Sequence, residues 1–493
     1  MSLWSEIARH SRVEHAAIIE PIEGLRITYP ELLGHVERLA ASFRAAGFSD
    51  QGHVGFIIPN GPEAIAMFLA AWAAGAATFP INPSLTVEEI ERACEATGVS
   101  ALIIDPLETR ADLAAMCVRR GLSCHKLRRF PALDIPSLPR APASVGAQDE
   151  NGVALLLQTS GTTGTPKTVP LRQRNLVASS RNIAAFYRLS TADRTYLVMP
   201  LFHIHGIVAS ALATLVSGGT VVVPRRVTPR RFGPDLASHE ITWVSAVPTV
   251  LARFVDALPE TRLSALRFGR TSSAALPSDM RRRFEDNAGV PLLEAYGMTE
   301  ASHQMASNPL PPAERRDGSV GIPTGTEISI FDAAWQPVSH GSTGEIVVRG
   351  PGVVDGYLDS PAANEAGFRD GWFRTGDLGT LSTDGYLTLV GRIKEMINRG
   401  GEKIAPREID DVLLRHPAVA EAVAYATADV KYGEVVHAAV VCSTEVPVRE
   451  LLAHCRDHLA AFKVPARITV LDAIPKGPTG KVQRSQLSRL LVQ

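Results

Sequence analysis

The segment Gln158-Thr-Ser-Gly-Thr-Thr-Gly-Thr-Pro-Lys-Thr168 holds five threonines, one serine and two glycines, and its single charge is Lys167. An apolar run, Val153-Ala-Leu-Leu-Leu157, leads into it. An apolar run this short, stopped by glycine and hydroxyl residues, predicts a buried strand opening into a loop. The loop offers unobstructed backbone N–H groups, a row of hydroxyls and one cation, which is the equipment of a polyphosphate cradle. The G-x-x-x-x-G-K-[ST] pattern does not account for it, because the second glycine position, counted from Gly161, falls on Pro166. Taken alone, the segment also fits a flexible Ser/Thr/Gly surface loop.

A chain of 493 residues exceeds what one hydrophobic core serves, so two or more domains are expected. With 45% hydrophobic and 20% charged residues and a formal net charge of −1, it has an ordinary globular composition and no global attraction to nucleic acid or anionic membrane. Arg225, Arg226, Arg230 and Arg231 form a local basic patch, expected to be a solvated face. Cys94, Cys117, Cys124, Cys442 and Cys455 include no C-x-x-C pair, which suggests reduced thiols acting as small core residues and no metal site. Two long stretches without charge, Ala64 to Val87 and Thr195 to Pro224, are interrupted by Gly and Pro and read as buried helices and strands, not membrane spans. The first residues lack a signal-peptide pattern and the last are no peroxisomal address, so a cytoplasmic protein is expected.

Up to about Val145 helical and strand patterns alternate, which argues for a parallel α/β sheet. Thr86-x-x-Glu89 is a capping box, followed by Ile90, Ala93 and Cys94 on one helical face. The alternation resumes after the glycine loop. Beyond about Gly325, shorter strands with Gly and Asp turns suggest a small antiparallel unit. The tail beyond Gly391 reads as a separate α+β module, with Pro406 at a helix N1 position.

Four further stretches accompany the loop: Glu294-Ala-Tyr-Gly-Met-Thr-Glu300, Trp372-Phe-Arg-Thr-Gly-Asp377, Gly391-Arg-Ile-Lys-Glu-Met-Ile-Asn-Arg-Gly-Gly401 and Pro475-Lys-Gly-Pro-Thr-Gly-Lys481. Any one residue in them has a bland alternative as a surface charge or a core aromatic. Together, in this order, they resemble the adenylate-forming superfamily over essentially the whole chain. The resemblance implies an α/β fold with a large N-terminal domain (1–391) of two α/β subdomains plus a small antiparallel β subdomain. A hinge (392–394, with Lys394) and a small mobile α+β C-terminal domain (395–493) follow. It also implies two half-reactions. A carboxylate attacks the α-phosphate of ATP to give an acyl-adenylate and pyrophosphate, and the thiol of CoA then displaces AMP.

The residue roles are those the resemblance implies. Thr159, Ser160, Gly161, Thr162, Thr163, Gly164 and Lys167 wrap the outer phosphates. Ser273, Ala274, Ala275, Glu294 and Ala295 line the nucleotide site, and Tyr296 stacks on adenine. Thr299 bonds the α-phosphate, Glu300 holds Mg²⁺, and Asp377 with Arg392 takes the ribose. Asn398 stands where relatives often carry an AMP-contacting lysine. Lys481 neutralises charge where carboxylate and α-phosphate meet. After the tail swings, Gly400, Gly401 and Lys403 face CoA.

For the acid, Pro200-Leu-Phe-His-Ile-His-Gly206, Arg270 and His303 are poor lining for a fatty-acid tunnel, whereas a buried second carboxylate needs such partners. The run Tyr296 to Leu310, Ile397 to Lys403 and Ala461 to Pro465 resemble oxalyl-CoA synthetases, which carry alanine where this chain has Gly297. The acyl pocket is therefore expected from His203, His205, Arg270, Ser273, Gly297 and His303, with oxalate as substrate. Short, medium-chain or aromatic acids are the alternative within the class. A luciferase-like oxygenase, a carrier-loading module and a non-catalytic nucleotide-binding protein are the alternatives outside it. The expected partners are a small carboxylic acid, ATP and CoA, without nucleic acid or membrane insertion, in a monomer or homodimer.

Overall fold

In the computed structural model the described residues are 2–49, 52–145, 149–159, 166–258, 263–274, 276–476, 482 and 484–491. Two large sheets dominate. A six-stranded sheet is parallel except at one edge, where β1 (Val153–Thr159) pairs antiparallel with β2 (Lys167–Arg172). A nine-stranded sheet has a parallel centre that includes β3 (Phe268–Thr271) and β4 (Leu292–Met298), and antiparallel margins that include β5 (His303–Ser307). Parallel strands need both faces covered, and the sequence supplies the cover. All thirteen residues of the helix Pro62–Ala74 are buried in a core shared with strands of both sheets. Phe68 and Trp72 stack within it, with ring centroids 5.4 Å apart, and the Trp72 indole donates to the Ala154 carbonyl at 2.6 Å.

Both uncharged stretches are therefore core. The first gives that helix and the strand Ala77–Pro80; the second gives the strand Arg194–Tyr196, the π-helix His205–Leu212 and the strand Thr220–Val222. Among the described residues, no helix is long and apolar enough to cross a membrane. The capping box forms as read: Glu89 accepts from the Thr86 N–H at 2.8 Å, and Ile90, Ala93 and Cys94 are buried.

A five-stranded antiparallel sheet follows, containing β6 (Trp372–Leu381) and β7 (Leu387–Arg392). A short 3₁₀ turn, Ile393–Glu395, leads from β7 to the tail, whose own five-stranded sheet carries the helix α1 (Pro406–Leu414). Pro406 stands at the start of α1, and Ile409, Val412 and Leu413 bury its apolar stripe.

Two expectations need correction. Arg225 is not a solvated charge: it is half-buried and bonded to Glu63 on the buried helix Pro62–Ala74 and to Glu23 beside the first strand, so it ties that helix to the nine-stranded sheet. Nor are all five cysteines core residues. Cys94, Cys117 and Cys455 are buried, but Cys442 is partly exposed and Cys124 is exposed.

Candidate active site

The glycine loop joins β1 to β2. Thr159 and Lys167 face each other across that hairpin, with the Thr159 hydroxyl 3.5 Å from the Lys167 carbonyl. Ser160, Gly161, Thr162, Thr163 and Gly164 lie outside the described residues. The Lys167 ammonium sits 4.5 Å above the ring of Tyr357.

Across from Lys167, β4 ends in a 3₁₀ turn, Thr299–Ala301, that carries Thr299 and Glu300. The chain then turns through Ser302 (φ 51°) and His303 (φ 98°) into β5. Two consecutive non-glycine residues in the left-handed region cost of order 1–3 kcal/mol each, and such strain gathers at functional sites. The tightness of this corner explains Gly297. A β-bulge brings it against β5, and a side chain there would overlap the carbonyl of His303.

Tyr296 donates its hydroxyl to one oxygen of Asp377 at 2.6 Å, and Arg392 pairs with the other at 3.0 Å. Burial, and secondarily the neighbouring Asp377, pushes the Tyr296 hydroxyl well above its ordinary range, so it stays a donor. The end of β4, a turn of β6 and the last residue of β7 thus meet at one carboxylate.

Glu294 and Ala295 are held inside β4, and Ala295 is buried. Glu294 has its carboxylate 3.9 Å from the guanidinium of Arg407 on α1, a contact between body and tail. Burial raises its carboxyl from 4.5 to about 7, outweighing the opposing pull of Arg407. Between those values the folded chain holds more protons than the unfolded one, so this group makes stability fall as pH rises from about 4.5 to 7. Glu294→Gln is expected to flatten that slope, by on the order of 3 kcal/mol across the window. Denaturant midpoints of the two proteins at pH 5 and pH 7.5 check this.

The sequence-predicted acyl residues His205, Arg270 and His303 come together. Arg270 on β3 is completely buried. Its Nε donates to Gln304 Oε1 at 2.9 Å and to the Tyr187 hydroxyl at 3.1 Å. Nη1 donates to Ser245 Oγ at 2.8 Å and approaches His205 Nε2 at 3.3 Å, and Nη2 approaches His303 Nδ1 at 3.2 Å. The two imidazoles lie 4.7 Å apart, and His205 also meets Ser245 Oγ at 2.7 Å. Among the described residues no carboxylate forms an ion pair with Arg270, and burial pulls its basicity below that of an ordinary arginine. The amide nitrogen of buried Gln304 likewise has no hydrogen-bond partner among the described residues. Burying a charge without a counter-ion costs several kcal/mol, which the neutral acceptors around Arg270 offset in part.

His203 sits two residues before the π-helix with its ring 4.5 Å from that of Phe202. Ser273 (φ 73°) and Ala274 follow β3, and Ala275 lies outside the described residues. In the tail, Asn398 pairs with Lys403 across a hairpin turned by Gly400 (φ 61°) and Gly401 (φ 98°). Two successive positive φ angles are what a two-residue turn of this kind demands, so the glycines have a local reason as well as any ligand. Lys394 is exposed in the 3₁₀ turn. Lys481 lies outside the described residues.

Sequence reasoning missed Tyr187, Ser245 and Gln304 around Arg270, and Tyr357 between Lys167 and Glu300. Ser245 is the register partner of Arg270 on the adjacent strand, which no sequence pattern announces.

The family model for AMP-binding enzymes matches residues 5–358, and the model for the AMP-binding enzyme C-terminal domain matches residues 408–481. The chain belongs to the AMP-binding enzyme family. It is an acyl-CoA ligase of the two-step, adenylate-forming type. Among its relatives, a probable CoA ligase of Humulus lupulus, CCL9, is 42% identical over 475 residues, covering 93% of this chain and 90% of the relative. An oxalate–CoA ligase of Arabidopsis thaliana is 41% identical (93% and 92% covered), and a sulfoacetate–CoA ligase of Cupriavidus necator 39% (95% and 94%). The structure of O-succinylbenzoate coenzyme A synthetase from Bacillus subtilis in complex with ATP and magnesium ion superposes with a TM-score of 0.87 at 29% identity, with 99% of each chain covered.

Proposed function

We propose that this ligase, a cytoplasmic one, converts oxalate, ATP and CoA into oxalyl-CoA, AMP and pyrophosphate. The observation that carries the choice of acid is Arg270, a fully buried cation with no acidic partner among the described residues. A monocarboxylic acid would leave that charge uncompensated once water is excluded; the far carboxylate of a short diacid neutralises it. In this reading Arg270 supplies the positive potential, and His205, His303, Ser273 and His203 supply hydrogen bonds that fix the far carboxylate. Two of the relatives are named for oxalate and sulfoacetate, both small acids with a second anionic group.

The nucleotide is held as the family resemblance implies. Tyr296 offers its ring to adenine and Asp377 its carboxylate to the ribose, the two kept in register by the hydrogen bond between them. Thr299 bonds the α-phosphate, and Lys167 with the glycine loop holds the outer phosphates. The donors also suit magnesium. Among the described residues there is no cluster of three or more metal-ligating side chains, and Glu300 is the carboxylate that the resemblance assigns to the metal. One carboxylate completed by substrate phosphates is how proteins commonly hold Mg²⁺. When bound, it would neutralise phosphate charge. By the family resemblance, Lys481 would neutralise charge where the attacking carboxylate meets the α-phosphate. After adenylation the tail turns, and the Gly400-Gly401 hairpin with Lys403 admits the thiol.

Pyrophosphate release measured with oxalate, malonate, acetate, hexanoate and cinnamate tests this reading. Oxalate is expected to give the largest kcat/KM; preference for hexanoate or cinnamate would overturn it.

A further inference from the structure

One segment between the antiparallel sheet strands touches both halves of the phosphate end. The N–H of Val354 donates to the Glu300 carbonyl at 2.9 Å, and the N–H of Leu358 donates to the Thr168 carbonyl at 2.9 Å. These two bonds tie the backbone beside the magnesium carboxylate to the backbone beside the loop lysine. Between them stands Tyr357. Its hydroxyl donates to Glu300 Oε1 at 2.9 Å, and its ring face lies 4.5 Å from the Lys167 ammonium. The tyrosine is itself fixed: Asn364 accepts from its N–H at 2.6 Å and donates to its carbonyl at 2.9 Å. Its ring is buried against Phe368, with centroids 5.9 Å apart.

We propose that Tyr357 is a positioning residue that sets the separation between Glu300 and Lys167, and so matches the metal carboxylate to the phosphate loop. The inference rests on the nucleotide-site reading above. A tyrosine suits the task because it presents two different recognition surfaces on one rigid body. The hydroxyl engages one oxygen of Glu300 and leaves the other for the metal. The ring face attracts the ammonium without consuming its N–H donors, which remain for phosphate. A carboxylate left to rotate, or a lysine left to sample solvent, would have to be ordered when the nucleotide binds.

The experiment is calorimetric titration of ATP into the full chain without acid or CoA, once with Mg²⁺ and once with EDTA. Tyr357→Phe is expected to raise the Kd for ATP about 10-fold with Mg²⁺, the worth of one hydrogen bond to a charged group, and to leave the EDTA value unchanged. Tyr357→Leu also releases Lys167 and is expected to weaken binding under both conditions. Should the leucine variant fail to fold, the phenylalanine variant decides alone. Wild-type affinities in Tyr357→Phe, or an equal loss with and without Mg²⁺, would overturn the proposal. Glu300→Gln and Lys167→Met separate the two readings. If both weaken binding while Tyr357→Phe does not, the nucleotide site stands and the tyrosine role falls. If neither weakens it, the nucleotide-site reading itself falls.

Discussion

Replacing Lys481 with alanine is expected to slow pyrophosphate release about 100- to 1,000-fold, the usual cost of removing a group aimed at transition-state charge. Transfer of the acyl group from a supplied acyl-adenylate to CoA should persist at close to the wild-type rate. The asymmetry follows from electrostatics. In adenylation, one negative group attacks another, and a cation between them counts for most where their charges crowd together. In thioester formation the departing group is AMP and no such crowding arises. Pyrophosphate detection for the first half-reaction and thioester detection for the second separate the two effects.

The second large effect belongs to Arg270. Arg270→Met keeps roughly the length and apolar stem of the side chain but removes the charge. It is expected to lower kcat/KM for oxalate about 100-fold, chiefly through KM, while activity with acetate falls little. The selectivity between the two acids, more than the absolute rate, is the informative quantity, because loss of fold would lower both together. Steady-state kinetics with the two acids, alongside a thermal unfolding curve, checks it. Lysine at 270 is not a conservative rescue, since a point charge cannot reproduce the forked contacts to Gln304, Ser245 and His303.

Much of this was legible in the residues themselves. The strand before the glycine loop, the helices without charge, the capping box at Thr86 and the proline opening α1 all depend on neighbours within a few positions, and short-range periodicity reports such neighbours. The cluster at Arg270 does not. Its partners are 25 positions away at Ser245, 34 at Gln304 and 83 at Tyr187: parallel register brings in Ser245, while Gln304 comes from antiparallel β5 and Tyr187 from the end of a helix. Arg225 misled for the same reason: its acids stand 162 and 202 positions earlier. Tyr357 carried no local signal, because its role comes from the 57-residue separation to Glu300 closing in space. Sequence order named the chemical groups; long-range pairing determined which of them face one another.

The proposed role of the buried Arg270 guanidinium is to select an acid with a second negative charge. Oxamate replaces one carboxylate of oxalate with an amide of nearly the same shape and no charge. Comparison of kcat/KM for pyrophosphate release from the two compounds therefore isolates that charge. A preference for oxalate of about 100-fold or more is expected. Equal rates with oxamate would contradict the account.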